Sequence, residues 1–259
     1  MSGPTARYVE QVMGMPISLA LRGRHTDDAA ARAAWAEAIG VLREADRVFS
    51  TYRADSSVSR LGRGEVDLAD CPPEVAEVLG LGALAEQQSG GAFAVRRDGV
   101  LDPSGVVKGW AVERAATALH ALEGTDSCLS AGGDLLCRTA DPDGAPWRIG
   151  IEDPRDPGRV LAVVPVRDGA VATSGTAHRG QHLVDARTGR APEGIASVTV
   201  LADSLTWADI DATAAYAHGQ GALAWLATRP GRTGFVVWAD GATSTVTGDL
   251  SEASTTLAG

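Results

Sequence analysis

The stretch that decides the fold is residues 100–111, which read Val-Leu-Asp-Pro-Ser-Gly-Val-Val-Lys-Gly-Trp-Ala. A short apolar run ends in Asp102, and Pro103 and Gly105 are residue types that favour a turn. Apolar side chains then recur at helical spacing, so we expect a strand, a turn and a helix entered at Lys108. Backbone amides at a helix start, with a lysine beside them, suit a phosphate-bearing ligand. The alternative is an ordinary corner with a solvated lysine, and the Gly-Lys-Ser/Thr ending of a Walker loop is missing.

The composition is that of an ordinary globular protein. The chain has 259 residues, of which 44% are hydrophobic and 22% charged. Its net charge of −10 argues against nucleic acid or an anionic membrane as a partner. The three cysteines lack a paired metal-binding spacing and indicate structural thiols in a reducing compartment. No apolar run is long enough to cross a membrane and the N-terminus is a poor signal peptide, so we expect a cytoplasmic protein without membrane insertion.

The order of elements predicts one α+β domain. We expect this domain to span residues 8–250, with loose termini at residues 1–7 and 251–259. Its first strand is expected at Met13–Leu21, and an Ala-rich helix with an N-terminal cap is expected over residues 26–48.

Further along, turn residues divide the chain into short elements. A polar loop is expected at residues 49–57, and a helix with Pro first and Gly last at residues 72–90. A late helix capped by Ser204 or Thr206 precedes a final hairpin, in which the Asp-Gly pair at residues 240–241 predicts a type I′ turn. The strands between are expected at Ser127–Ala131, Asp134–Thr139, Trp147–Glu152, Val160–Val166, Ala170–Thr173 and Ser197–Ala202.

A second candidate group follows the strand that ends at Gly175. Seven residues later, His182 opens a short segment that ends in Asp-x-x-Thr-Gly, which places an imidazole near a turn rich in backbone donors. The alternative is a surface histidine with an Asx-type turn behind it. His178 is a competing candidate.

A third candidate group lies in the late helix. Asp209 and Thr213 are four residues apart, so they share one helix face. A carboxylate and a hydroxyl are hard oxygen ligands of the kind that Mg²⁺ accepts. The alternative is an exposed polar stripe in which Thr213 bonds back to a carbonyl.

A series of short motifs runs in chain order from Met13 to the final hairpin. They are Met13-Gly14, Phe49-Ser50-Thr51-Tyr52, Gly90-Gly91-Ala92-Phe93, Asp102 with Gly105 and Lys108-Gly109, Gly132-Gly133, Trp147 with Ile149-Gly150-Ile151, Ala172-Thr173-Ser174-Gly175, His182 with Asp185 and Thr188-Gly189, Ser197-Val198-Thr199-Val200, and Ala208-Asp209 with Ala212-Thr213-Ala214. In this order they resemble the ApbE family, flavin transferases that use FAD to attach FMN to a Thr or Ser of a target protein. Each motif is weak alone, and their order makes the resemblance specific.

The resemblance implies an α+β fold of mixed or antiparallel sheets flanked by helices, with FAD in the cleft between two lobes. It implies FAD as substrate, Mg²⁺ as cofactor and an unidentified acceptor protein as partner. His182 would sit beside the flavin phosphates. The remaining implied contacts are Met13, Tyr52, Ala92, Phe93, Ala94, Asp102 and Lys108 for FAD, and the Gly105 carbonyl, Asp209 and Thr213 for Mg²⁺.

The implied reaction breaks the pyrophosphate bond of FAD and releases AMP. Mg²⁺ and Lys108 would neutralise the charge that grows on the phosphates. A hydroxyl nucleophile benefits from a base, and we favour His182 over Asp209 because Asp209 is occupied if it binds the metal. Two alternatives stay open. One is an FAD pyrophosphatase that gives FMN and AMP; the other is a catalytically weakened FAD-binding protein, suggested by Ala94 where the family usually has Asp and by a missing Tyr after Gly175.

Overall fold

The computed structural model describes residues 5–175 and 184–247. Its helices are α1 (Ala29–Phe49), α2 (Ser57–Gly62), α3 (Pro73–Gln88), α4 (Ser104–His120), α5 (Leu205–Ala217) and α6 (Ala222–Leu226). Its strands are β1 (Ala6–Val12), β2 (Met15–Gly23), β3 (Arg96–Arg97), β4 (Val100–Leu101), β5 (Thr125–Ala131), β6 (Asp134–Arg138), β7 (Trp147–Asp153), β8 (Asp156–Val166), β9 (Gly169–Gly175), β10 (Ile195–Ala202), β11 (Thr233–Trp238) and β12 (Thr243–Thr247).

The centre of the fold is one antiparallel sheet. Within the described residues it has eight strands in the order β1-β2-β5-β6-β9-β10-β11-β12. Two hairpins, β3–β4 and β7–β8, stand outside this sheet. The strand pairs in the described ranges are all antiparallel, so the expected α+β class is confirmed and the sheets are antiparallel, not mixed.

The two faces of the sheet are covered differently. Helices α1, α4 and α5 pack on one face and bury the larger apolar core, in which Ile17, Leu129 and Val200 meet Leu42, Leu119 and Ile210. The β7–β8 hairpin covers the other face, where its Ile149, Ile151, Val164 and Val166 pack on residues of β5, β6 and β9 to β11. The sheet is therefore buried on both sides, which explains why every residue of β10 is buried.

The N-terminal region differs from the expectation. Residues 6–12 form strand β1, so the strand expected from Met13 is the second arm of a hairpin, and residues 6 and 7 are not loose. The polar loop expected at residues 49–57 is also shorter, because Ser56 caps α2 by accepting the Ser59 amide. Apolar and polar residue types alternate too little in β1 for its sequence to predict an edge strand.

Helix α4 begins earlier than expected. It starts at Ser104, four residues before Lys108, and the Asp102 carboxylate accepts the Ser104 amide at 3.0 Å in an Asx-type turn that leads into the helix. Gly105 is thus part of the helix, and not of a turn in front of it.

Three hairpin turns of the same kind occur at one end of the fold. Met13–Gly14, Asp98–Gly99 and Gly132–Gly133 each join two strands with two residues, and both residues of each turn have positive φ, as in type I′ turns. The type I′ turn expected at residues 240–241 is wrong: only Gly241 has positive φ there, and Trp238 donates its amide to Ala242 around a three-residue loop. No helix in the described ranges combines the length and apolar character needed to span a bilayer.

Candidate active site

A cavity of about 1260 Å³ opens where the hairpin turns, the helix starts and the β7–β8 hairpin converge. The predicted site residues that the structure describes all line it, and they come from five separate segments of the chain. His182 and His178 lie outside the described residues. The predicted residues that line the cavity are Met13, Tyr52, Ala92, Phe93, Ala94, Asp102, Gly105, Lys108, Asp209 and Thr213.

Helices α4 and α5 are in close contact at the cavity. A Cβ atom at Gly109 would lie 2.7 Å from the Leu205 carbonyl oxygen and 2.8 Å from the Thr206 Cα, so only glycine fits there. One turn further along α4, the Glu113 carboxylate accepts the Leu205 amide at 2.5 Å and the Thr206 hydroxyl. This contact brings Lys108 of α4 next to Asp209 of α5.

Lys108 lies between two buried carboxylates. Its Nζ is 3.1 Å from Asp209 Oδ1 and forms a second, closer ion pair with Asp134. Asp134 Oδ1 accepts the Thr173 amide at 3.0 Å, which ties the group to β9. The Asp134 and Asp209 side chains are 2% and 5% exposed, and Asp209 Oδ2 has no hydrogen-bond partner among the described residues. Two buried acids and one buried base carry a net negative charge, so the group favours an added cation.

The protonation of this group follows from its burial. Burial raises the pKa of the Asp209 carboxyl to about 7, the Lys108 ammonium opposes that rise, and the Asp134 charge adds to it. Burial lowers the pKa of the Lys108 ammonium, yet the facing Asp209 and Asp134 raise it above its usual range. Lys108 is therefore held as a cation, and Asp209 exchanges its proton near neutral pH.

Oxygen atoms suited to a hard cation surround Asp209. Thr213 lies one helix turn along α5, and its hydroxyl is 3.1 Å from the Ser174 hydroxyl on β9. The Gly109 amide, which a regular helix pairs with the Gly105 carbonyl, also contacts the Asp209 carboxylate and helps to lower its pKa. A carboxylate oxygen without a partner, a hydroxyl and a carbonyl in one cavity are a donor set that fits Mg²⁺. We call Lys108, Asp209 and Thr213, together with Asp134, which pairs with Lys108 but does not itself line the cavity, the floor of the cavity.

Another part of the cavity lining is built from turns. Met13 has a φ of 55°, a left-handed conformation that costs a non-glycine residue about 1–2 kcal/mol. Tyr52 is 99% exposed, so its ring is free to contact a ligand. Asp98, also with positive φ, is at the tip of the β3–β4 hairpin. We call Met13, Tyr52 and Asp98 the rim.

The segment with Ala92, Phe93 and Ala94 is fixed by three contacts. The Phe93 amide donates to the buried Ser89 hydroxyl at 3.0 Å, and the Ala92 carbonyl accepts the Ala186 amide at 3.1 Å. The Phe93 ring lies against Gly105, where a Cβ would be 2.9 Å from the ring. The segment thus joins α3, α4 and the chain after residue 183.

Two predicted FAD contacts have other partners in the structure. The Asp102 carboxylate is engaged by Ser104 at the start of α4, and the Lys108 ammonium is engaged by Asp134 and Asp209. Both still border the cavity, so their contact with FAD stays a prediction.

Sequence reasoning missed Asp134 and Ser174 as site residues. Asp134 directly follows the Gly132-Gly133 pair, which the sequence offered as one motif of the resemblance without its next residue. A buried acid after a two-residue turn was the signal that could have identified it. Ser174 stood within a quoted motif, but its contact with Thr213 depends on the packing of α5 on β9.

Comparison with known proteins agrees with this fold and cavity. The model of the ApbE family matches residues 13–96 and 94–236, and the chain belongs to this family. The solved ApbE protein of Thermotoga maritima is 20% identical, with a TM-score of 0.81 over 93% of this chain and 96% of that one. The flavinyl transferase ApbE of Pseudomonas stutzeri is 24% identical, with a TM-score of 0.77 over 95% and 96%. These structures confirm the fold.

Curated relatives share a shorter region. The FAD:protein FMN transferase of Vibrio cholerae is 34% identical over 130 residues, which are 46% of this chain and 39% of that protein. That of Rhodobacter capsulatus is 36% identical over 129 residues, or 46% and 24%. The matched region of this chain therefore spans less than half the length of either relative.

Proposed function

We propose that this protein is a Mg²⁺-dependent flavin transferase that moves FMN from FAD onto a Thr or Ser hydroxyl of an acceptor protein and releases AMP. Its domain would be residues 8–250. The observation that carries the proposal is the buried floor: a lysine between two acids, with an unpartnered Asp209 oxygen facing a cavity large enough for a dinucleotide. The names of the relatives in Vibrio cholerae and Rhodobacter capsulatus support the same activity.

The floor residues have separate tasks in this proposal. Asp209, Thr213 and the Gly105 carbonyl would hold Mg²⁺, which when bound supplies positive charge next to the pyrophosphate. Lys108 stays protonated between its two carboxylates and adds a second positive charge at the same wall of the cavity. Asp134 orients Lys108 and is itself held by the Thr173 amide.

The bond changes of the proposed reaction balance without a further reactant. The acceptor hydroxyl oxygen forms a bond to the FMN phosphorus, and the bond from that phosphorus to the bridging oxygen breaks. AMP leaves with the bridging oxygen, and the hydroxyl proton passes to a base. His182 is our candidate for the base, since Lys108 already occupies Asp209 Oδ1 and Mg²⁺ would take Asp209 Oδ2.

The rim residues would bind the flavin half of FAD. Tyr52 offers an exposed aromatic face for stacking on the flavin ring system, and Met13 offers a polarizable side chain next to it. Ala92 to Ala94 would form the wall behind the ring.

The test is to incubate the purified protein with FAD, with and without Mg²⁺, and to measure AMP. Asp209→Ala should abolish the metal-dependent release, whereas Asp203→Ala, an exposed acid just before the same helix, should leave it unchanged. Full activity of Asp209→Ala would refute the metal assignment.

The same incubation, repeated with a co-expressed acceptor protein present, separates the alternatives. Flavin fluorescence on a co-expressed protein in a denaturing gel supports transfer. Free FMN and AMP alone indicate a pyrophosphatase. Retained yellow FAD without AMP release indicates a flavin-binding protein and contradicts the proposal.

A further inference from the structure

Two cysteines face each other in the central sheet, away from the cavity floor. Cys128 of β5 and Cys137 of β6 are directly opposite in the strand register, and their Sγ atoms are 3.4 Å apart. Both are free thiols. The third cysteine of the chain, Cys71, precedes α3 and lies outside this sheet. A spacing of nine residues in the sequence gave no hint of this contact, because it arises from the two-residue turn between the strands.

The surroundings of the two cysteines restrict access of reagents to their sulfur atoms. The two residues belong to the smaller apolar core under the β7–β8 hairpin, and Cys128 is 8% exposed against 2% for Cys137. The Arg22 guanidinium lies 4.2 Å from the centre of the Trp147 ring and pairs with Asp126, two residues before Cys128. Both residues are thus shielded from bulky reagents, and Cys128 is the more exposed of the two.

We propose that Cys128 and Cys137 form a reversible disulfide when the protein meets hydrogen peroxide or a comparably small hydroperoxide. Opposed residues of antiparallel strands have Cα separations within the range that a disulfide requires. The sulfur atoms need to approach by about 1.4 Å to reach bonding distance, which rotation about χ1 can supply without moving the strands.

The chemistry balances with the peroxide as the sole oxidant. The Cys128 thiolate attacks one peroxide oxygen, the O–O bond breaks, and Cys128 becomes a sulfenic acid while hydroxide leaves. The Cys137 sulfur then attacks Cys128 Sγ, the S–O bond breaks, and the second oxygen leaves as water. In total, two thiols and one hydrogen peroxide give one disulfide and two waters.

The roles of the two thiols differ. Cys137 donates its S–H to the Cys128 sulfur, which lowers the pKa of Cys128, and the nearby Arg22 and Arg7 cations lower it further against the effect of burial. The same contact and burial raise the pKa of Cys137. Cys128 is therefore the attacking thiol and Cys137 the resolving thiol.

The bond would fix the strand pair that carries a floor residue. From Cys128 and Cys137 the register continues through two residue pairs to Ala131 and Asp134. A disulfide would hold this hairpin closed during unfolding, so the oxidised protein should melt at a higher temperature than the reduced protein. The proposal stands on the thiol geometry and is independent of the flavin and metal proposals.

The experiment uses the full chain with Cys71→Ser, so that only the two facing thiols remain. After peroxide treatment and removal of the peroxide, the protein is unfolded and alkylated with N-ethylmaleimide. We expect the treated protein to have an intact mass lower by two hydrogen atoms and to carry no maleimide. Protein reduced with dithiothreitol before alkylation should carry two maleimides. A nonreducing digest should contain a linked Cys128–Cys137 peptide.

Single thiols provide the controls. With Cys71→Ser and Cys137→Ser together, dimedone should trap a sulfenic acid at Cys128. With Cys71→Ser and Cys128→Ser together, Cys137 should react at least about tenfold more slowly. Cys128→Ser with Cys137→Ser leaves Cys71, whose oxidation verifies that the peroxide dose is sufficient. Two alkylatable thiols in the treated Cys71→Ser protein at that dose, or a link only between molecules, would overturn the proposal.

Discussion

The floor and the rim of the cavity are stabilised in opposite ways. The floor is buried, and its charged groups have partners within the fold. Lys108 is paired with Asp134 and Asp209, and Asp134 also accepts the Thr173 amide. The rim lies on short turns, with a strained, half-buried Met13 and exposed Tyr52 and Asp98 side chains. The difference shows that the floor depends on the whole fold, whereas the rim residues can change with little effect on it.

The two-residue turns that border the cavity also differ in backbone strain. The Gly132–Gly133 turn adopts positive φ at no steric cost, but the neighbouring Met13–Gly14 turn adopts it with a long side chain. Asp98–Gly99 is a favourable sequence for the same turn type. A strained residue that borders a binding cavity is a reason to expect a function for its side chain. Changes at the floor should therefore affect stability or metal binding, and changes at the rim should affect FAD binding alone.

The largest effect is expected for Gly109→Ala. The new Cβ meets backbone atoms of Leu205 and Thr206, which cannot move without separating α4 from α5. We expect a loss of about 1–3 kcal/mol in the free energy of unfolding, measured by urea denaturation, together with loss of metal-dependent AMP release. Gly80→Ala is the matched control, because nothing lies within 4 Å of its Cβ on exposed α3, and it should stabilise by about 0.5–1 kcal/mol. Equal stability of the two variants would contradict this account of the floor.

Asp134→Asn tests whether one floor residue acts through another. The amide oxygen can still accept the Thr173 N–H, so the fold should persist, but Lys108 loses one anionic partner and turns to Asp209. We expect Mg²⁺ affinity, measured by calorimetry, to fall about 10- to 100-fold. An unchanged affinity would show that Asp134 has no part in the metal site.

The same variant should shift the pH dependence of metal binding. In the wild type, protons compete with Mg²⁺ below the Asp209 pKa of about 7, so affinity should fall by about tenfold per pH unit there. Without the Asp134 charge, which raises that pKa, the fall should begin at lower pH. Superimposable profiles of the two proteins between pH 5 and 8, scanned in steps of about one unit, would contradict the coupling.

Tyr52→Ala should separate binding from stability. The side chain is 99% exposed, so the thermal midpoint should not change. Loss of aromatic stacking should weaken FAD binding by about tenfold, measured by quenching of flavin fluorescence. Leu84→Ala, which removes an exposed apolar side chain away from the cavity, should alter neither quantity. A lower melting temperature for Tyr52→Ala would mean that the rim supports the fold after all.

A second rim variant with a small effect on stability is Met13→Asn. Asn accepts positive φ readily, and relief of the strain offsets the lost contact of Met13 with the core, so the free energy of unfolding should change by less than about 1 kcal/mol. FAD affinity should still fall, because the flavin loses a polarizable neighbour. Asp98→Asn in the equivalent turn is the control for stability alone, because it also lines the cavity. If Met13→Asn binds FAD like the wild type, the strained methionine has another purpose.

The sequence was informative where local pattern and structure agree. The Pro-first and Gly-last helix α3, the Ser204 cap of α5 and the strands from β5 to β10 were predicted because capping and alternation are local signals. The helical spacing of Asp209 and Thr213 likewise predicted that they share a face. The resemblance to the ApbE family also identified residues that are far apart in the chain. Those that the structure describes line one cavity.

Features that depend on contacts between distant segments were missed. Strand β1 pairs with β2 through backbone hydrogen bonds, which the sequence of β1 does not indicate. The role of Asp134 depends on the approach of α4 to β6, and the need for Gly109 depends on the position of α5. Asp102 was expected to meet FAD, but the bond that it accepts from the Ser104 amide follows from where α4 begins. Residues outside the described ranges, His182 among them, stay predictions.

The bond between Glu113 and the start of α5 has a mechanical consequence. Glu113 of α4 bonds to the Leu205 amide and the Thr206 hydroxyl at the start of α5. Helices α4 and α5 therefore move as one unit and cannot separate to admit a ligand. A ligand then has to enter the cavity at its border, where the hairpin tips lie. The Leu205 amide should accordingly exchange with deuterium as slowly as the most protected amides of the central sheet, with or without FAD.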